Sequence, residues 1–371
     1  MKRLVVWAHS YCRSTLAFYA SLANALNRAL VIYTWQGSPD IRNKVGFSPQ
    51  EFSNLDIQFV GDNYQRALNL LKNEDAQSYH IFAAYQSCSL HRKLMDYLIE
   101  RGIRYCIASE APCNMASYPN RAIKDLYFHY YLPIRLRKYI QHADNIVNFS
   151  GYYEKELLKL GWQKKQIISC GYFPPRIKGS QIVKRTEANW KNFTILLTGL
   201  HEWHRSPWLL LQALTILKER HHLEPKCYIT QNGPYLRYMK EYAQKHHLKN
   251  VSFLGFVEMH RLIELYETCS VYIGTGNYEP WGMRLNDVLL CGAPIIVNRG
   301  MGGVKLVDEY LCGLSFKRKN SFELAQRIME LMTNQDLYLK VAENAFNAAS
   351  IITPEIQAKH IAKQLTIYLN K

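Results

Sequence analysis

Short runs of apolar residues alternate with amphipathic stretches along most of this chain. In the first half, each run has the length and the apolar side chains of a buried strand. The predicted strands are Leu4–Ala8, Leu30–Thr34, Ile57–Val60, His80–Ala84, Tyr105–Ala108 and Asn145–Phe149. Amphipathic stretches such as Thr15–Arg28 and Leu90–Arg101 predict helices between them. Strands that alternate with helices form a parallel sheet with helices on both faces, so a Rossmann-like domain is predicted.

The pattern breaks after Pro174-Pro175, where a polar and basic stretch with weak periodicity predicts a linker. A second alternating series then begins. Its predicted strands are Phe193–Leu197, Lys226–Thr230, Val251–Leu254, Val271–Gly274, Pro294–Val297 and Leu314–Phe316. Its predicted helices include Pro207–Arg220, Pro234–His247, His260–Thr268 and Gly282–Cys291. This series predicts a second Rossmann-like domain of similar size.

The last segment, Thr353–Lys371, has apolar residues at helical spacing, and Thr353-Pro354 suits the start of a helix. We expect this helix to cross back and pack on the first domain. The fold class is therefore α/β, with two doubly wound domains. The predicted organisation is a first domain at 1–175, a linker at 176–190, a second domain at 191–352 and a crossover helix at 353–371.

Composition excludes several classes of protein. The chain has 371 residues and 48% hydrophobic residues, which is enough for two cores and argues against disorder. Its apolar runs fall short of a membrane span, and its N-terminal residues predict a first strand rather than a signal peptide. The nine cysteines show no C-x-x-C pair, which favours reduced thiols in the cytoplasm.

The net charge of +16 indicates an anionic partner. Anionic substrates, an anionic membrane surface and nucleic acid all fit this charge, and a solvated basic surface is the alternative for any single cluster. The segment Asp125–His142 is both aromatic-rich and basic. Such a helix can lie peripherally on the inner face of the cytoplasmic membrane, although its aromatic residues can also belong to a core.

The stretch Tyr278–Gly303 carries the most specific chemistry of the chain. Glu279 precedes Pro280 and Gly282, which stiffen a loop and allow a ligand to approach the backbone closely. A helix that starts near Met283 directs free N–H groups at this loop, which favours an anion there. Glu279 and Asp287 can accept hydrogen bonds from hydroxyl groups on either side of that anion. This order of hydroxyl, phosphate and hydroxyl sites predicts a sugar-nucleotide site. The simpler alternatives are that Glu279 caps the following helix and that Asp287 forms a surface salt bridge.

Several segments, in order, resemble the GT-B fold and, within it, the retaining glycosyltransferase family 4. Ala143–Pro175 is similar to the end of the family's first domain, and Ile195–Leu214 resembles the first strand, loop and helix of its donor domain. Gln231–Pro234 stands where the family has a Gly-x-Gly-Pro turn. The segment 253–273 resembles the part that frames the nucleotide base. EPWGMRLND, at 279–287, is similar to the family's Glu-x7-Glu signature.

The resemblance implies that the second domain binds the donor across a cleft from an acceptor-binding first domain. The expected donor-binding residues are Gly199, His201, His204, Arg205, Asn232, Gly255, Phe256, Val257, Glu279, Pro280, Trp281, Gly282, Met283, Arg284 and Asp287. One departure is Leu200, which stands where the family has an arginine, while Arg205 holds the place of its lysine. Arg284, assisted by His201 and His204, is the candidate for the missing cation.

The expected catalytic residues are Glu279, Arg205, Arg284 and Glu110. Glu110 stands where the family often has a histidine, and we expect it to act as a general base. The acceptor-side candidates follow strands of the first domain, where α/β sheets place ligand groups, although local turn chemistry explains them equally well. They are Ser10, Arg13, Glu110, Asn114 and Tyr118.

These features predict a retaining glycosyltransferase that moves a sugar from a UDP- or GDP-linked donor to a glycan or lipid-linked glycan. The resemblance indicates bacterial surface polysaccharide or lipopolysaccharide synthesis. No Asp-x-Asp motif occurs, so we expect no metal, and no cofactor beyond the nucleotide-sugar co-substrate. A nucleotide-sugar epimerase or hydrolase on the same fold is the alternative. A basic nucleic-acid-binding protein is a further alternative, which the acidic pair and the missing RNA-binding motifs disfavour.

Overall fold

The computed structural model describes residues 3–36, 52–74, 78–83, 85, 88–116 and 120–369. Contacts between Cα atoms divide the chain into two units. The N-unit comprises Met1–Asn114, Ala122–Pro175 and Thr353–Lys371, and the C-unit comprises Met115–Arg121 and Arg176–Ile352. The short stretch Met115–Arg121 thus groups with the C-unit, although the first predicted domain included it.

Within these described residues, the N-unit holds a parallel seven-stranded sheet of order β3-β2-β1-β4-β5-β6-β7. Its strands are β1 (Arg3–Ala8), β2 (Ala29–Thr34), β3 (Ile57–Phe59), β4 (Tyr79–Ala83), β5 (Tyr105–Ser109), β6 (Ala143–Asn148) and β7 (Ile167–Ser169). The helices of this half of the chain are α1 (Arg13–Ala25), α2 (Tyr64–Asn73), α3 (Ser89–Glu100), α4 (Asn120–Leu126), α5 (Leu132–His142) and α6 (Glu154–Lys159). A π-helix, Tyr127–Tyr131, joins α4 to α5.

The sheet of the C-unit is also parallel, with the order β10-β9-β8-β11-β12-β13. Its strands are β8 (Thr194–Leu197), β9 (Lys226–Thr230), β10 (Val251–Gly255), β11 (Val271–Gly274), β12 (Ile295–Asn298) and β13 (Gly313–Phe316). Its helices are α7 (Glu187–Lys191), α8 (Trp208–His221), α9 (Leu236–Lys245), α10 (Met259–Thr268), α11 (Arg284–Leu289), α12 (Val304–Tyr310), α13 (Ser321–Thr333) and α14 (Gln335–Ala348). Both predicted sheets are therefore confirmed.

Both faces of the N-unit sheet are covered. Along β1, Val5 and Trp7 belong to one hydrophobic cluster, whereas Leu4 and Val6 belong to another. This alternation follows from the period of two in a strand, and it explains why buried parallel strands read as continuous apolar runs. The second cluster includes Leu16 of α1. It also includes Ala358, Ile361, Ala362 and Leu365 of the C-terminal helix α15 (Pro354–Leu369), which packs on the N-unit as predicted.

Helix α1 begins earlier than the sequence predicted. The Cys12 N–H donates to Thr15 Oγ1 at 3.1 Å, and this hydroxyl donates to the Cys12 carbonyl at 3.0 Å. Cysteine is not among the residues that usually cap a helix, so the pattern gave no signal for this start. Arg13, predicted to lie in the loop after β1, is instead the first residue of α1.

The predicted linker at 176–190 belongs to the C-unit and packs against the rest of it. Its Arg185 is 2% exposed, and the guanidinium donates to the carbonyl of Cys269 at 2.8 Å and to that of Val183 at 2.7 Å. Further hydrogen bonds go to the carbonyls of Cys291 and Tyr266. The polar composition predicted only a linker, but the carbonyls of Tyr266, Cys269 and Cys291 lie near the C-terminal ends of α10 and α11, where a buried cation is favourable.

Candidate functional site

The loops after β8 and β11, with the start of α11, carry most of the predicted donor-site residues of the C-unit, and the loops after β12 and β13 adjoin them. These four strands are neighbours in a parallel sheet, so their carboxyl ends meet at one edge. Ligand sites of α/β sheets lie at this edge. The sequence prediction therefore concentrates on one place in the fold, and the loops that build it can be followed one by one.

The loop after β8 bends sharply and is tied to its neighbour. Gly199 has φ 111°, a value that favours glycine, and a Cβ there would lie 3.5 Å from Arg205 Nη1. The residues Trp203–Arg205 form a 3-10 turn. The Thr275 hydroxyl, from the loop after β11, donates to the Arg205 carbonyl at 2.7 Å. These contacts fix the backbone from which the Arg205 side chain extends.

Two buried asparagines, which the sequence did not indicate, hold the four loops together. Asn277 Nδ2 donates to Ser206 Oγ at 2.6 Å, and Asn298 Nδ2 donates to Asn277 Oδ1 at 2.8 Å. Asn277 Oδ1 also accepts from the Lys319 N–H at 3.0 Å, while Asn298 Oδ1 accepts from the Gly300 N–H at 2.8 Å. Buried amides with several partners of this kind impose one arrangement on the loops they join.

Glu279 is fixed by its backbone and paired by its side chain. Its N–H donates to the Gly300 carbonyl at 3.2 Å, and its carbonyl accepts from the Gly302 N–H at 3.0 Å. Glu279 Oε2 lies 3.3 Å from Arg205 Nε and 3.6 Å from His204 Nε2. The structure thus brings three predicted catalytic or donor-binding residues together. The glutamate side chain is 17% exposed, so it can still meet a ligand.

Both histidines of this loop have a lowered pKa. Burial is the main cause at His204, where the nearby Glu279 opposes the shift and Arg205 adds to it. Burial is also the main cause at His201, which is 1% exposed. The His201 N–H donates to the Asn232 carbonyl at 3.0 Å. A lowered pKa favours the neutral imidazole, which can hydrogen bond at the site. Assistance by these histidines at the diphosphate stays a prediction.

The Pro-Trp-Gly bend after Glu279 requires glycine for space as well as conformation. Gly282 has φ 98°, and a Cβ there would lie 2.3 Å from Met301 Cε. Pro280 is buried, and Met283 precedes the first turn of α11. Trp281 is 1% exposed, with its Nε1 donating to Asn286 Oδ1 at 2.6 Å. The Trp281 side chain therefore shapes the bend from beneath and does not offer its ring to a ligand.

Arg284 and Asp287 pair with each other on α11. Arg284 Nη1 lies 3.7 Å from Asp287 Oδ2 and donates to the Tyr266 hydroxyl at 3.3 Å. The Asp287 side chain is 9% exposed. The salt bridge that the sequence offered as the simpler alternative is thus present, and it leaves only a small part of the carboxylate for a ribose. Ribose binding by Asp287 stays a prediction.

The predicted base-binding turn lies at the ends of β9 and β10. Gly255 has φ 65°, and a Cβ there would lie 3.9 Å from Asn232 Oδ1, so the two loops adjoin. Phe256 is 52% exposed and is followed by the half-buried Val257. An exposed ring beside a glycine turn is a suitable surface for stacking a base.

An aromatic and cationic group borders Glu279 and was also missed. The rings of Trp203 and Tyr278 stack with centroids 5.4 Å apart and planes 6° apart. The Arg318 guanidinium lies 4.7 Å from the centre of the Tyr278 ring. The sequence contained a signal, since Lys317-Arg318-Lys319 is a basic run that follows a predicted strand.

The acceptor-side candidates lie in the N-unit. Ser10 and Glu110 are half-buried in the loops after β1 and β5. Glu110 lies beside the hydroxyl of Tyr172, whose pKa is raised by burial and then by this carboxylate and by Cys12. Tyr172 was not predicted from the sequence.

The two remaining acceptor-side candidates in the loop after β5 are Asn114 and Tyr118. Asn114 Nδ2 donates to Asp125 Oδ1 at 2.6 Å, so its amide has a partner within the N-unit. Tyr118 lies outside the described residues. Acceptor binding by these residues stays a prediction.

Among the residues that the structure describes, no cluster of three or more His, Cys, Asp or Glu side chains is arranged to hold a metal ion. No helix in the described part of the chain combines the length and hydropathy that a bilayer crossing requires.

Part of the chain is similar to known sequences. Residues 180–348 match the family model of glycosyl transferases group 1. The chain is 24% identical over 152 residues to an uncharacterized glycosyltransferase of Methanocaldococcus jannaschii, covering 41% of this chain and 38% of that protein. It is 23% identical over 194 residues to the N,N'-diacetylbacillosaminyl-diphospho-undecaprenol alpha-1,3-N-acetylgalactosaminyltransferase of Campylobacter jejuni, covering 48% of each. The chain thus spans less than half the length of the curated relatives it matches.

Comparison with solved structures covers both units. HepE of Anabaena in complex with UDP superposes with a TM-score of 0.71 at 14% identity, covering 99% of this chain and 100% of HepE. The apo lipopolysaccharide outer core galactosyltransferase WaaB superposes with a TM-score of 0.68 at 13% identity, covering 99% of each chain. At these identities the likeness concerns the fold. The chain has the GT-B fold, and its residues 180–348 match the model of the glycosyl transferases group 1 family.

Proposed function

We propose that this protein is a glycosyltransferase that moves a sugar from a nucleotide-sugar donor to a glycan or lipid-linked glycan. The observation that carries the proposal is the placement of Arg205 and His204 against Glu279, at the carboxyl edge of the C-unit sheet. A cation and a carboxylate side by side suit a ligand that carries a diphosphate next to sugar hydroxyls. The match of residues 180–348 to glycosyl transferases group 1 supports the same assignment.

In this proposal, the donor separates Arg205 from Glu279 and gives each side chain a new partner. The diphosphate takes Arg205, whose guanidinium binds phosphate oxygens through two hydrogen bonds and keeps its charge at every working pH. Glu279 Oε2, released from Arg205, accepts hydrogen bonds from hydroxyl groups of the sugar. Negative charge builds on the diphosphate as the glycosidic bond breaks, so Arg205 stabilises the transition state more than the ground state.

Arg284 is the second cation that we assign to the diphosphate. Its Nη1 lies 3.7 Å from Asp287 and 3.3 Å from the Tyr266 hydroxyl, so its side chain is already oriented. Gly199 and Gly282 keep Cβ atoms away from the two loops that would meet the donor. In this assignment the base stacks on the Phe256 ring. Gly255 and Val257 contact the edge of the base, and Asn232 lies beside it.

The finer features of the proposal are retention of the anomeric configuration and activity without a metal. Retention rests on the likeness of the 279–287 segment to the Glu-x7-Glu signature of glycosyltransferase family 4. We favour a UDP-linked donor over a GDP-linked one because the superposed HepE structure contains UDP. Lipid-linked or lipopolysaccharide acceptors are favoured by the names of the Campylobacter relative and of WaaB.

On the acceptor side, we assign Glu110 as the general base toward an acceptor hydroxyl. Its carboxylate lies beside Tyr172 at the end of β5, with Ser10 on the loop after β1. A carboxylate at the carboxyl end of a parallel strand is a common position for such a group. Arg13 and Asn114 complete the proposed acceptor contacts.

The test replaces Glu279 by glutamine and measures sugar transfer and nucleotide release with UDP-glucose, UDP-galactose, UDP-N-acetylglucosamine and GDP-mannose. Glutamine retains the size but weakens the acceptance of hydroxyl hydrogen bonds, so transfer should fall about tenfold or more. Binding of UDP alone should be retained or strengthened, because Arg205 loses its competing carboxylate. The matched control is Glu241→Gln, which changes an exposed carboxylate paired with Arg237 on α9.

Transfer by Glu279→Gln within about twofold of the wild type would refute the site assignment, given the losses known for such contacts. Conversion of the donor to another nucleotide sugar without an acceptor would instead identify an epimerase. Release of free sugar at the same rate with and without acceptors would identify a hydrolase. The anomeric configuration of the first product, followed by NMR, tests retention.

A further inference from the structure

We infer that the side chains around Tyr278 bind a carboxylate or phosphate group that one of the sugar substrates carries. This group of side chains combines two stacked rings with three cations, and it is called here the Tyr278 cluster. Its members are Trp203, Tyr278, Arg121, Arg318 and Lys319. The inference rests on the proposed function, because it assigns a chemical property to the substrate of the same site.

Three positive charges surround the ring of Tyr278. The Arg121 guanidinium lies 3.8 Å from the ring centre, the Arg318 guanidinium lies 4.7 Å from it, and Lys319 Nζ lies 5.9 Å from it. Arg121 belongs to the short stretch that groups with the C-unit, so the whole cluster lies within one unit. The ring attracts each cation through its face, but it carries no net charge, so the cations still repel one another. An anion among them would remove this repulsion.

The two cations that follow β13 have no acidic partner among the described residues. Neither Arg318 nor Lys319 forms an ion pair with a carboxylate in the part of the chain that the structure describes. Both residues are exposed. In contrast, Arg299, which follows the neighbouring strand β12, pairs with Asp308 at 3.3 Å. The charges of Arg318 and Lys319 can therefore meet an anionic ligand without first leaving a carboxylate.

The backbone of Lys319 has an unusual conformation for a lysine. Its φ is 60°, in the left-handed region that glycine adopts at a lower cost. The Lys319 N–H donates to Asn277 Oδ1 at 3.0 Å, and Asn277 belongs to the hydrogen bonds that hold the loops of the candidate site together. A solvated surface lysine does not require such a backbone. A lysine that is fixed beside a ligand site explains it, since strained backbone positions concentrate at such sites.

The order of the strands places Arg318 and Lys319 on the sugar side of the donor site. Along the edge of the sheet the strands follow the order β10-β9-β8-β11-β12-β13. The proposed base site is at the ends of β9 and β10, Arg205 follows β8, Glu279 follows β11, and Arg318 follows β13. The base, the diphosphate, the sugar and these cations therefore succeed one another along the edge. Since Arg205 and Arg284 are assigned to the diphosphate, the further anion belongs to the donor sugar or to the acceptor sugar that joins it.

The chemistry of the Tyr278 cluster suits a carboxylate or a phosphate. A guanidinium has N–H groups around its rim, and both anions accept two of them side by side. Lys319 adds a compact charge that attracts the same oxygens from another direction. An uncharged hydroxymethyl group would leave the repulsion between the cations in place. The cluster should therefore discriminate between charged and uncharged forms of the same sugar.

The test measures dissociation constants by calorimetry on the full chain, in two arms. The donor arm compares UDP-glucuronate with UDP-glucose, which differ by a carboxylate in place of a hydroxymethyl group. If the anion is on the donor, UDP-glucuronate should bind about tenfold tighter or more. The acceptor arm saturates the chain with UDP and compares glucose 6-phosphate with glucose. If the anion is on the acceptor, the phosphorylated sugar should bind about tenfold tighter or more.

Variants then test which residues cause the preference for the charged sugar. Arg318→Gln together with Lys319→Gln should reduce the preference to about twofold or less, because the charges that oppose the anion are gone. Arg318→Lys together with Lys319→Arg keeps both charges and should retain most of the preference. The matched control is Lys184→Gln with Arg220→Gln. It also removes two exposed cations that lie over aromatic rings of the C-unit, and it should bind with the preference of the wild type.

The outcomes separate this inference from the proposed function. Equal affinities for charged and uncharged sugars in both arms would overturn the inference, and so would a preference that persists in the double glutamine variant. If the wild type still binds UDP-glucose in that case, the proposed donor site stands. If it binds none of these nucleotides, the proposed donor site and the inference are both refuted.

Discussion

Replacement of Arg185 by methionine should destabilise the C-unit more than any exposed substitution. The guanidinium donates to the carbonyls of Val183, Tyr266, Cys269 and Cys291, at distances up to 3.2 Å. Methionine fills a similar volume but donates no hydrogen bond. Buried carbonyls near the ends of two helices then lose a charged donor, so the cost comes mainly from leaving them unsatisfied.

The magnitude follows from the number of contacts. Hydrogen bonds to a charged group contribute about 1.5–3 kcal/mol each, but contacts that share one side chain are not additive. Burial of the guanidinium also costs free energy, which methionine avoids. We therefore expect a loss of about 4 kcal/mol in the free energy of unfolding of the C-unit. For a unit of this size, that corresponds to a melting temperature lower by roughly 8–16 °C.

Differential scanning calorimetry measures this effect, and UDP identifies the transition of the C-unit if the proposed site binds it. Arg185→Lys keeps the charge but not the planar fork, so it should recover only part of the loss. Arg237→Met, at an exposed arginine of α9, is the matched control and should leave the melting temperature unchanged. A melting temperature for Arg185→Met within about 2 °C of the wild type would refute the reasoning, since a loss near 1 kcal/mol is too small for the contacts.

Two further predictions concern the site and the N-unit core. Asn277→Ala removes the amide that joins four loops, so kcat should fall about tenfold or more while UDP still binds. An unchanged kcat would contradict a positioning role for Asn277. Burial lowers the pKa of His91 to about 3 from an ordinary 6.5, so the folded N-unit binds fewer protons than the unfolded chain. The stability due to neutral His91 is thus present above pH 6.5 and is lost as pH falls toward 3. When the pH falls from 7 to 5, the free energy of unfolding, measured with urea, should decrease more in the wild type than in His91→Phe, by about 2 kcal/mol. Equal decreases in the two proteins would contradict the assignment.

The two sheets could be predicted because their signal is local. A buried parallel strand is a short apolar run, and the run Leu4–Ala8 differs from the observed Arg3–Ala8 by one residue. Element ends were less accurate, since they depend on single contacts. The start of α1 depends on Cys12 and Thr15, and no composition rule identifies that pair.

The predicted linker shows what composition cannot provide. The stretch after Pro175 is basic and weakly periodic, and this pattern is typical of solvated connections. Its role depends on Arg185 meeting carbonyls more than eighty residues away in the chain. A side chain whose partners are backbone atoms leaves no trace in the sequence of those partners. Asn277 escaped notice for a related reason, since its partners come from several loops that are distant in the sequence.

The candidate site was predicted as a set of residues but not as a set of pairs. Glu279 and Arg205 were assigned to different parts of one donor, the sugar and the diphosphate, yet they lie 3.3 Å apart. These two findings are compatible if the donor replaces each partner with a group of its own. A carboxylate that is paired before binding and hydrogen-bonded after it is never left buried without a partner, and the same holds for the guanidinium. The ion pair therefore keeps Glu279 and Arg205 oriented at the sheet edge at little cost in free energy. A ligand that separates the pair satisfies the two side chains only if it supplies phosphate to Arg205 and hydroxyl groups to Glu279.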